Sequence, residues 1–384
     1  MDKVLLLHYS HPEGYPPTLN AINCLAEKAD QIRVLAIDTL PTRLEYSKNV
    51  DLILLEGEHD RFQYIKRSKL KKLNGYFNYV KQVRKHLKSF KPDVVLIYDN
   101  VPFLFYLFAR SFLTKRHHLW YHNHDIYPQQ HYQKYSVNWF AFHALQKWFN
   151  TIDYFSLPAM ERRKMFPLKK FNGKTFFIPN FPSRKIVKVD LKERQKNKRS
   201  EYLKVIYPGS PSIKNGFEEL IDVMNQKING KLITLTIVGD INENYKKELI
   251  DYASSKGVVK QVYFEERIPY TEMSTFLTSY HIGWGMYKPL DLSVSTAGTS
   301  SNKIYEFLAN AMPVIVFDNY HHKEYLSDVS AIYFSDLSAQ SVLDALTEIE
   351  RNYDRLSSEA LNEYKVNFQF EKYFDSAMNE VLAD

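Results

Sequence analysis

The sequence predicts an α/β protein of two doubly wound, Rossmann-like domains facing a cleft. Three observations carry that prediction. Short apolar runs alternate with segments of helical period along nearly the whole chain. The runs are apolar on both faces, as strands of a parallel sheet covered by helices on each side must be. The alternation breaks once, at a charged stretch after residue 180, and 384 residues exceed what one core usually covers.

In the first domain, residues 1–180, the runs are VLLL, IRVLAI, DLILLE, VVLIY, LWYH, DYFSL and TFFIP. The longest apolar stretch, VVLIYDNVPFLFYLFARSFL, is interrupted by Asp99, Asn100, Pro102 and Arg110. It falls short of the roughly 20 clean residues of a spanning helix and reads as a buried strand followed by a helix. Residues 181–203 are charged, poor in apolar periodicity and punctuated by Pro182, which suits a linker. The alternation then resumes over residues 204–360 with KVIYPG, LITLTIVG, QVYFE, HIGWG, PVIVF and AIYF, separated by helical stretches such as GFEELIDVM and TEMSTFLTSY. The chain ends helical. Val342, Leu343 and Leu346 make one apolar face and Phe370, Phe374 and Met378 another, and residues 361–384 can pack back on the first domain.

A hydrophobic fraction of 45% and an aromatic fraction of 15% exclude a disordered chain. The single cysteine, Cys24, forms no internal disulfide and no thiolate zinc cluster. With only four strongly apolar residues before His8 and no small-residue cleavage site, MDKVLLLHYSH is not expected to act as an export signal. A reducing, cytoplasmic location is expected. The net charge of +7 is unevenly spread, since residues 61–91 hold eleven Lys or Arg and no acid. Tyr64, Tyr76, Phe77, Tyr79 and Phe90 interleave with those cations. Such a segment suits an anionic membrane surface at the inner leaflet, or plain solvation; nucleic acid is not expected.

Open α/β sheets bind ligands beyond the carboxyl ends of their strands, so chemistry is sought at strand-to-helix turns. In SSNKIYEFLANAMPVIVFDN, residues 300–319, Ile304, Phe307, Leu308 and Ala311 form a buried helical stripe. Asn302, Lys303 and Glu306 fall on another face. The preceding STAGTSS is rich in small residues, so backbone N–H groups around Ser300, Ser301 and Asn302 can approach an anion such as phosphate. A carboxylate one turn into the helix can accept two hydrogen bonds from a vicinal diol such as ribose, each worth about 1.5–3 kcal/mol. The plainer alternative is a Lys303–Glu306 surface pair and a serine cap. In VIYPGSPSIKNGFEELIDVM, Gly209 turns the chain at a strand end and Lys214 precedes Gly216 and a helical stripe, a place where a cation could neutralise a diphosphate. The spacing is neither that of a P-loop nor GxGxxG. Gly239, with Asp240, ends the next strand.

The order of KNGFEELI, LTIVGD, VYFEERIPYTEMSTFLTSYHIGWG and NKIYEFLANAMPVIVF resembles the nucleotide-binding half of GT-B glycosyltransferases, of the retaining family 4 or "glycosyl transferases group 1" type. The likeness covers about residues 203–335. It implies a GT-B architecture, an acceptor-side first domain, and transfer from a nucleoside diphosphate sugar to a saccharide or lipid-linked acceptor, with retention and no required cofactor or metal. Glu306 would hold the ribose hydroxyls, Lys214 the diphosphate, and Ser300 to Asn302 would supply N–H donors, with Gly209, Ser210, Gly239 and Lys303 lining the donor site. Two departures stand out: Gly298 occupies the place of a family glutamate that contacts the donor sugar, and Ser210 and Pro211 replace a family arginine. In LWYHNHDIYP, His124 and Asp125 match a His-Asp pair that faces the donor sugar in the family. His122, His124 and Asp125 could offer two metal ligands from one strand end, but no local third histidine completes a set. The small residues near Gly298 in the loop WGMYKPLDLSVSTAGTS would lie beside the donor sugar; a flexible lid is the plainer reading of that loop, compatible with the first. A sugar-nucleotide epimerase or hydrolase of the same fold, or a basic binding protein on a degenerate one, are the competing readings.

Overall fold

The structure, a computed structural model, describes residues 3–41, 44–56, 59, 61–110, 117–125, 129–196, 200–290, 295 and 297–383. The chain divides into two compact units, residues 1–180 with 370–384, and residues 181–369.

The first unit is built on seven strands: β1 (Lys3–His8), β2 (Gln31–Ile37), β3 (Val50–Leu55), β4 (Val94–Tyr98), β5 (His118–His122), β6 (Tyr154–Leu157) and β7 (Lys174–Phe177). Each of the seven apolar runs is a strand. They pair in parallel in the order β3-β2-β1-β4-β5-β6-β7. The central strands are buried on both faces because helices cover each side. Tyr79, Val83 and Leu87 of helix Lys69–Phe90 join the core with Phe103, Phe105 and Tyr106 of helix Asn100–Ala109. Fully burying such a side chain contributes about 1.5–3 kcal/mol. Elsewhere in this unit Trp120 stacks on Phe374 of helix Phe370–Ala383 at 5.4 Å, and Lys28 pairs with Asp375.

The second unit carries β8 (Tyr202–Pro208), β9 (Lys227–Ile228), β10 (Lys231–Val238), β11 (Val262–Glu265), β12 (Ile282–Gly285), β13 (Val314–Phe317) and β14 (Ile332–Ser335). Six pair in parallel in the order β11-β10-β8-β12-β13-β14, matching the six expected runs. β9 is an antiparallel addition at the start of β10.

Residues 181–203, read from the sequence as a linker, lie within the second unit. Phe181 packs on Tyr305 and Phe368, the Lys188 N–H donates to Ser274 Oγ at 2.8 Å, and the buried Arg194 guanidinium donates to the carbonyls of Tyr280 and Leu277. Charge density concealed these anchors. At the far end, helix Tyr353–Asn367 runs through the expected start at 361 and stays in the second unit, because Tyr353, Leu356, Ala360 and Tyr364 bury one stripe there. Of the stretch from residue 361 on, the part that joins the first unit is helix Phe370–Ala383. Among the described residues, no helix is long and apolar enough to cross a membrane.

Candidate functional site

In each sheet the strand order reverses once, between β1 and β4 and between β8 and β12. Crevices at the carboxyl ends of strands flanking such a reversal are where doubly wound sheets hold ligands.

At the reversal in the second unit, β8 and β10 end on Gly209 and Gly239. The Gly209 N–H donates to the Val238 carbonyl at 2.9 Å and the Gly239 N–H to that of Glu265 at 3.0 Å. Both glycines lie in the left-handed region, at φ 138° and 125°. A Cβ on Gly239 would lie 2.1 Å from the Gly209 oxygen, and one on Gly209 would lie 3.1 Å from Lys303 Nζ. Bare backbone is what lets two strand ends and a lysine converge.

Lys303 stands in the first turn of helix Asn302–Ala309, behind the turn Gly298–Ser300. Its Nζ donates to Tyr287 Oη and, at 3.3 Å, to Tyr207 Oη, and lies 4.6 Å and 4.7 Å from the Tyr207 and Tyr287 ring centroids. Burial pushes the ammonium toward neutrality, but the two phenol oxygens outweigh it and leave the lysine above its ordinary pKa. Among the described residues no carboxylate lies within ion-pair distance of this cation. Glu306, one turn on, is raised by burial to about 7, with the Lys303 charge pulling the other way.

The plainer alternative for this helix finds no support. Ser301 is the N-cap residue, yet its side chain makes no capping bond and instead donates to Tyr287 Oη at 3.3 Å. Ser300 Oγ donates back to the Ala297 carbonyl at 3.0 Å. Asn302 Oδ1 is buried with no hydrogen-bond partner. Lys214 is half-buried in the turn Ile213–Asn215, its carbonyl accepting from the Lys288 N–H at 2.7 Å. Ser210 is exposed, and its carbonyl accepts from Tyr207 Oη at 3.2 Å. Within the loop after β12, residues 291–294 and 296 lie outside the described residues.

At the reversal in the first unit, His124 follows β5 and is gripped by Asp99, the residue after β4. The His124 N–H donates to Asp99 Oδ1 at 2.8 Å, and Nδ1 lies 3.3 Å from Oδ2. Burial alone would raise the Asp99 carboxyl, but bonds from the His124 ring and N–H hold it below the usual range. The ring stacks on Tyr98 at 4.7 Å, and the His124 carbonyl accepts from the buried Arg162 at 3.1 Å. Asp125, the next residue in sequence, is exposed and is not the group on the His124 ring. His122 is turned inward, with Nδ1 on Ser156 Oγ at 2.8 Å, and burial lowers its pKa well below the ordinary value. The acids and rings gathered at this strand end are therefore His8, Asp99 and His124 rather than His122, His124 and Asp125.

Sequence reasoning missed Tyr207, Tyr287 and Asp99. The tyrosines had no motif to mark them. Asp99 was visible only as a break in an apolar run.

Two doubly wound units, each with polar groups at its switch point, define the GT-B architecture. Residues 189–367 match the model of the family glycosyl transferases group 1. No curated protein sequence matches the chain. Solved structures match it nearly end to end. Sucrose-phosphate synthase from Thermosynechococcus elongatus superposes with a TM-score of 0.74 at 11% identity, covering 100% of this chain and 98% of that one. HepE from Anabaena, solved with UDP and glucose, gives 0.68 at 14% identity, covering 100% of both chains. WaaG, a glycosyltransferase involved in lipopolysaccharide biosynthesis, gives 0.68 at 12% identity, covering 99% and 100%. At these identities the likeness establishes the fold. With a glycosyl transferases group 1 domain on that fold, the protein is a glycosyltransferase.

Proposed function

We propose that the protein moves a sugar from a nucleoside diphosphate donor to a saccharide or lipid-linked acceptor in glycan or surface polysaccharide synthesis, with retention, at the cytoplasmic face of a membrane. The observation that carries the donor assignment is Lys303, an enclosed ammonium held by two tyrosine hydroxyls beside the Gly209 and Gly239 turns, with no carboxylate in ion-pair contact among the described residues. A diphosphate supplies the missing charge and neutralises its own developing leaving-group charge on the same ammonium. Lys214 and the N–H groups from Ser300 to Asn302 add donors, while the Glu306 carboxylate accepts from the ribose diol. His124 and Asp125 position the sugar or acceptor, His124 being oriented by Asp99. The leaving phosphate helps take the acceptor's proton, and neither metal nor cofactor is needed for transfer.

The basic helices Arg61–Lys66 and Lys69–Phe90 hold the protein at an anionic leaflet. What supports this is an apolar stripe on their outer side: Ile65, Leu70, Leu73 and Phe77 are exposed, Leu70 by 69% and Phe77 by 67%, among the lysines. Most of the aromatics here turn inward, since Tyr79 and Phe90 are buried and Tyr64 donates to Tyr9.

Calorimetric titration with a panel of nucleoside diphosphates, and then with their sugars, tests the donor assignment. Binding of a diphosphate, with loss in Lys303→Met, is expected; no binding to any member would overturn it. Product analysis with a labelled donor separates transfer from epimerisation and hydrolysis.

A further inference from the structure

We propose that His8, Asp99 and His124 form a binding site for a divalent transition cation of the zinc class. The three residues end or follow β1, β4 and β5, adjacent strands at the switch point of the first sheet. Each offers one ligand atom, and the three atoms lie within 4.8 Å of one another.

Two further features point to an occupant. His8 Nδ1 and His124 Nε2 are buried and have no hydrogen-bond partner, in residues only 3% and 4% exposed. Buried nitrogens in native proteins are nearly always satisfied, so two orphans in rings that face one carboxylate call for a common partner. Asp99, in turn, holds φ 69° and ψ 175°, a conformation that costs a non-glycine residue about 1–3 kcal/mol. It sits at the N-cap of helix Asn100–Ala109, but its side chain makes no capping bond. Its oxygens are turned to His124 instead.

Two imidazoles and one carboxylate match the ligands preferred by Zn2+, Co2+ or Ni2+; Mg2+ and Ca2+ favour all-oxygen sets and Cu+ favours sulfur. Three protein ligands leave a fourth position for water. The ion is an occupant of this strand end and not a requirement of sugar transfer.

The test uses the full chain, stripped of metal with a chelator and titrated with Co2+ while the visible d–d absorption is followed. One Co2+ per chain is expected, displaced by Zn2+. His8→Gln and Asp99→Asn should each weaken Co2+ binding by at least about 10- to 100-fold, with circular dichroism confirming the fold. His131→Gln, an exposed histidine elsewhere in the unit, should bind as the native chain does. Absence of the band in the folded native chain, native-strength binding in either ligand variant, or loss of binding in His131→Gln would overturn the proposal. The readout involves neither nucleotide nor transfer, so its failure leaves the donor assignment standing.

Discussion

The Glu306 carboxyl links stability and donor binding in opposite directions, and Glu306→Gln separates them. In the folded chain its pKa is raised from the ordinary 4.5 to about 7 by burial. The folded state then holds this proton more tightly than the unfolded state. Its contribution to stability is full below pH 4.5 and is lost as pH rises through about 7. At about 1.4 kcal/mol per tenfold, the native chain forgoes up to about 3 kcal/mol above neutrality relative to a neutral isostere. Glutamine carries no charge at any pH. Differential scanning at about pH 8 should therefore find ligand-free Glu306→Gln more stable than the native chain by several degrees, a difference that vanishes near pH 4. Nucleotide affinity should move the other way. Each diol hydrogen bond to a carboxylate is worth about 1.5–3 kcal/mol, so the variant should bind a nucleoside diphosphate about 100-fold more weakly at about pH 8. Native affinity should fall roughly tenfold between about pH 8 and pH 6 as the carboxyl protonates, and the variant should lack that component. A variant that binds as well as the native chain would refute the ribose assignment, and one that is no more stable at high pH would refute the burial argument.

Three other substitutions bear on the same reading. Lys303→Met should lower affinity for a nucleoside diphosphate far more than for the bare nucleoside, measured by calorimetry, because it removes the charge and keeps most of the packing. Gly239→Ala should destabilise the second unit by about 1–3 kcal/mol or more in urea unfolding, since its Cβ would meet the Gly209 oxygen at 2.1 Å in a left-handed conformation. Leu70→Asp with Phe77→Asp should reduce co-sedimentation with vesicles containing anionic phosphatidylserine to the level seen with neutral vesicles, while nucleotide binding is unchanged.

Strands were legible because each needs only a handful of β-branched or apolar residues bounded by turn residues, and all thirteen expected runs are parallel strands. What escaped were features set by partners distant in sequence. β9 is a two-residue strand, too short to show a period. Arg194 reads as one more charge in a charged stretch, and only the Tyr280 and Leu277 carbonyls reveal it as an anchor. On helix Asn302–Ala309, Lys303 and Glu306 stood out through helical spacing, which is local. Tyr207 and Tyr287 are separated from Lys303 by 96 and 16 residues, so nothing local marks their oxygens as its partners. That the carboxylate on the His124 ring is Asp99, and not the next residue in sequence, has a related reason. Asp125 is adjacent to His124 in sequence, but a residue leaving a strand cannot turn its side chain back onto its neighbour's ring as readily as the end of the next strand can. Asp99, on β4's end, does so across the pairing of Tyr98 with His122.

Nucleotide binding at the proposed donor turn should change the protonation of Glu306. With Lys303 cationic and Glu306 about half protonated near neutrality, these two groups together carry excess positive charge. A diphosphate arriving there would by itself raise the Glu306 pKa further, because a nearby anion disfavours a second one. Ribose hydroxyls donating to the carboxylate act the other way, since hydrogen bonds to the charged form favour it. If the diol is gripped, donation wins and the carboxyl gives up its remaining proton, roughly half a proton per nucleotide at about pH 7. Titrations in buffers of different ionisation enthalpy measure that release directly. The phosphate groups contribute their own protons, so the informative quantity is the native chain minus Glu306→Gln. Roughly half a proton released in that difference, reduced with a 2′,3′-dideoxy nucleotide, is expected. Proton uptake, or an unchanged difference with the dideoxy ligand, would mean that Glu306 faces the phosphates and not the sugar ring.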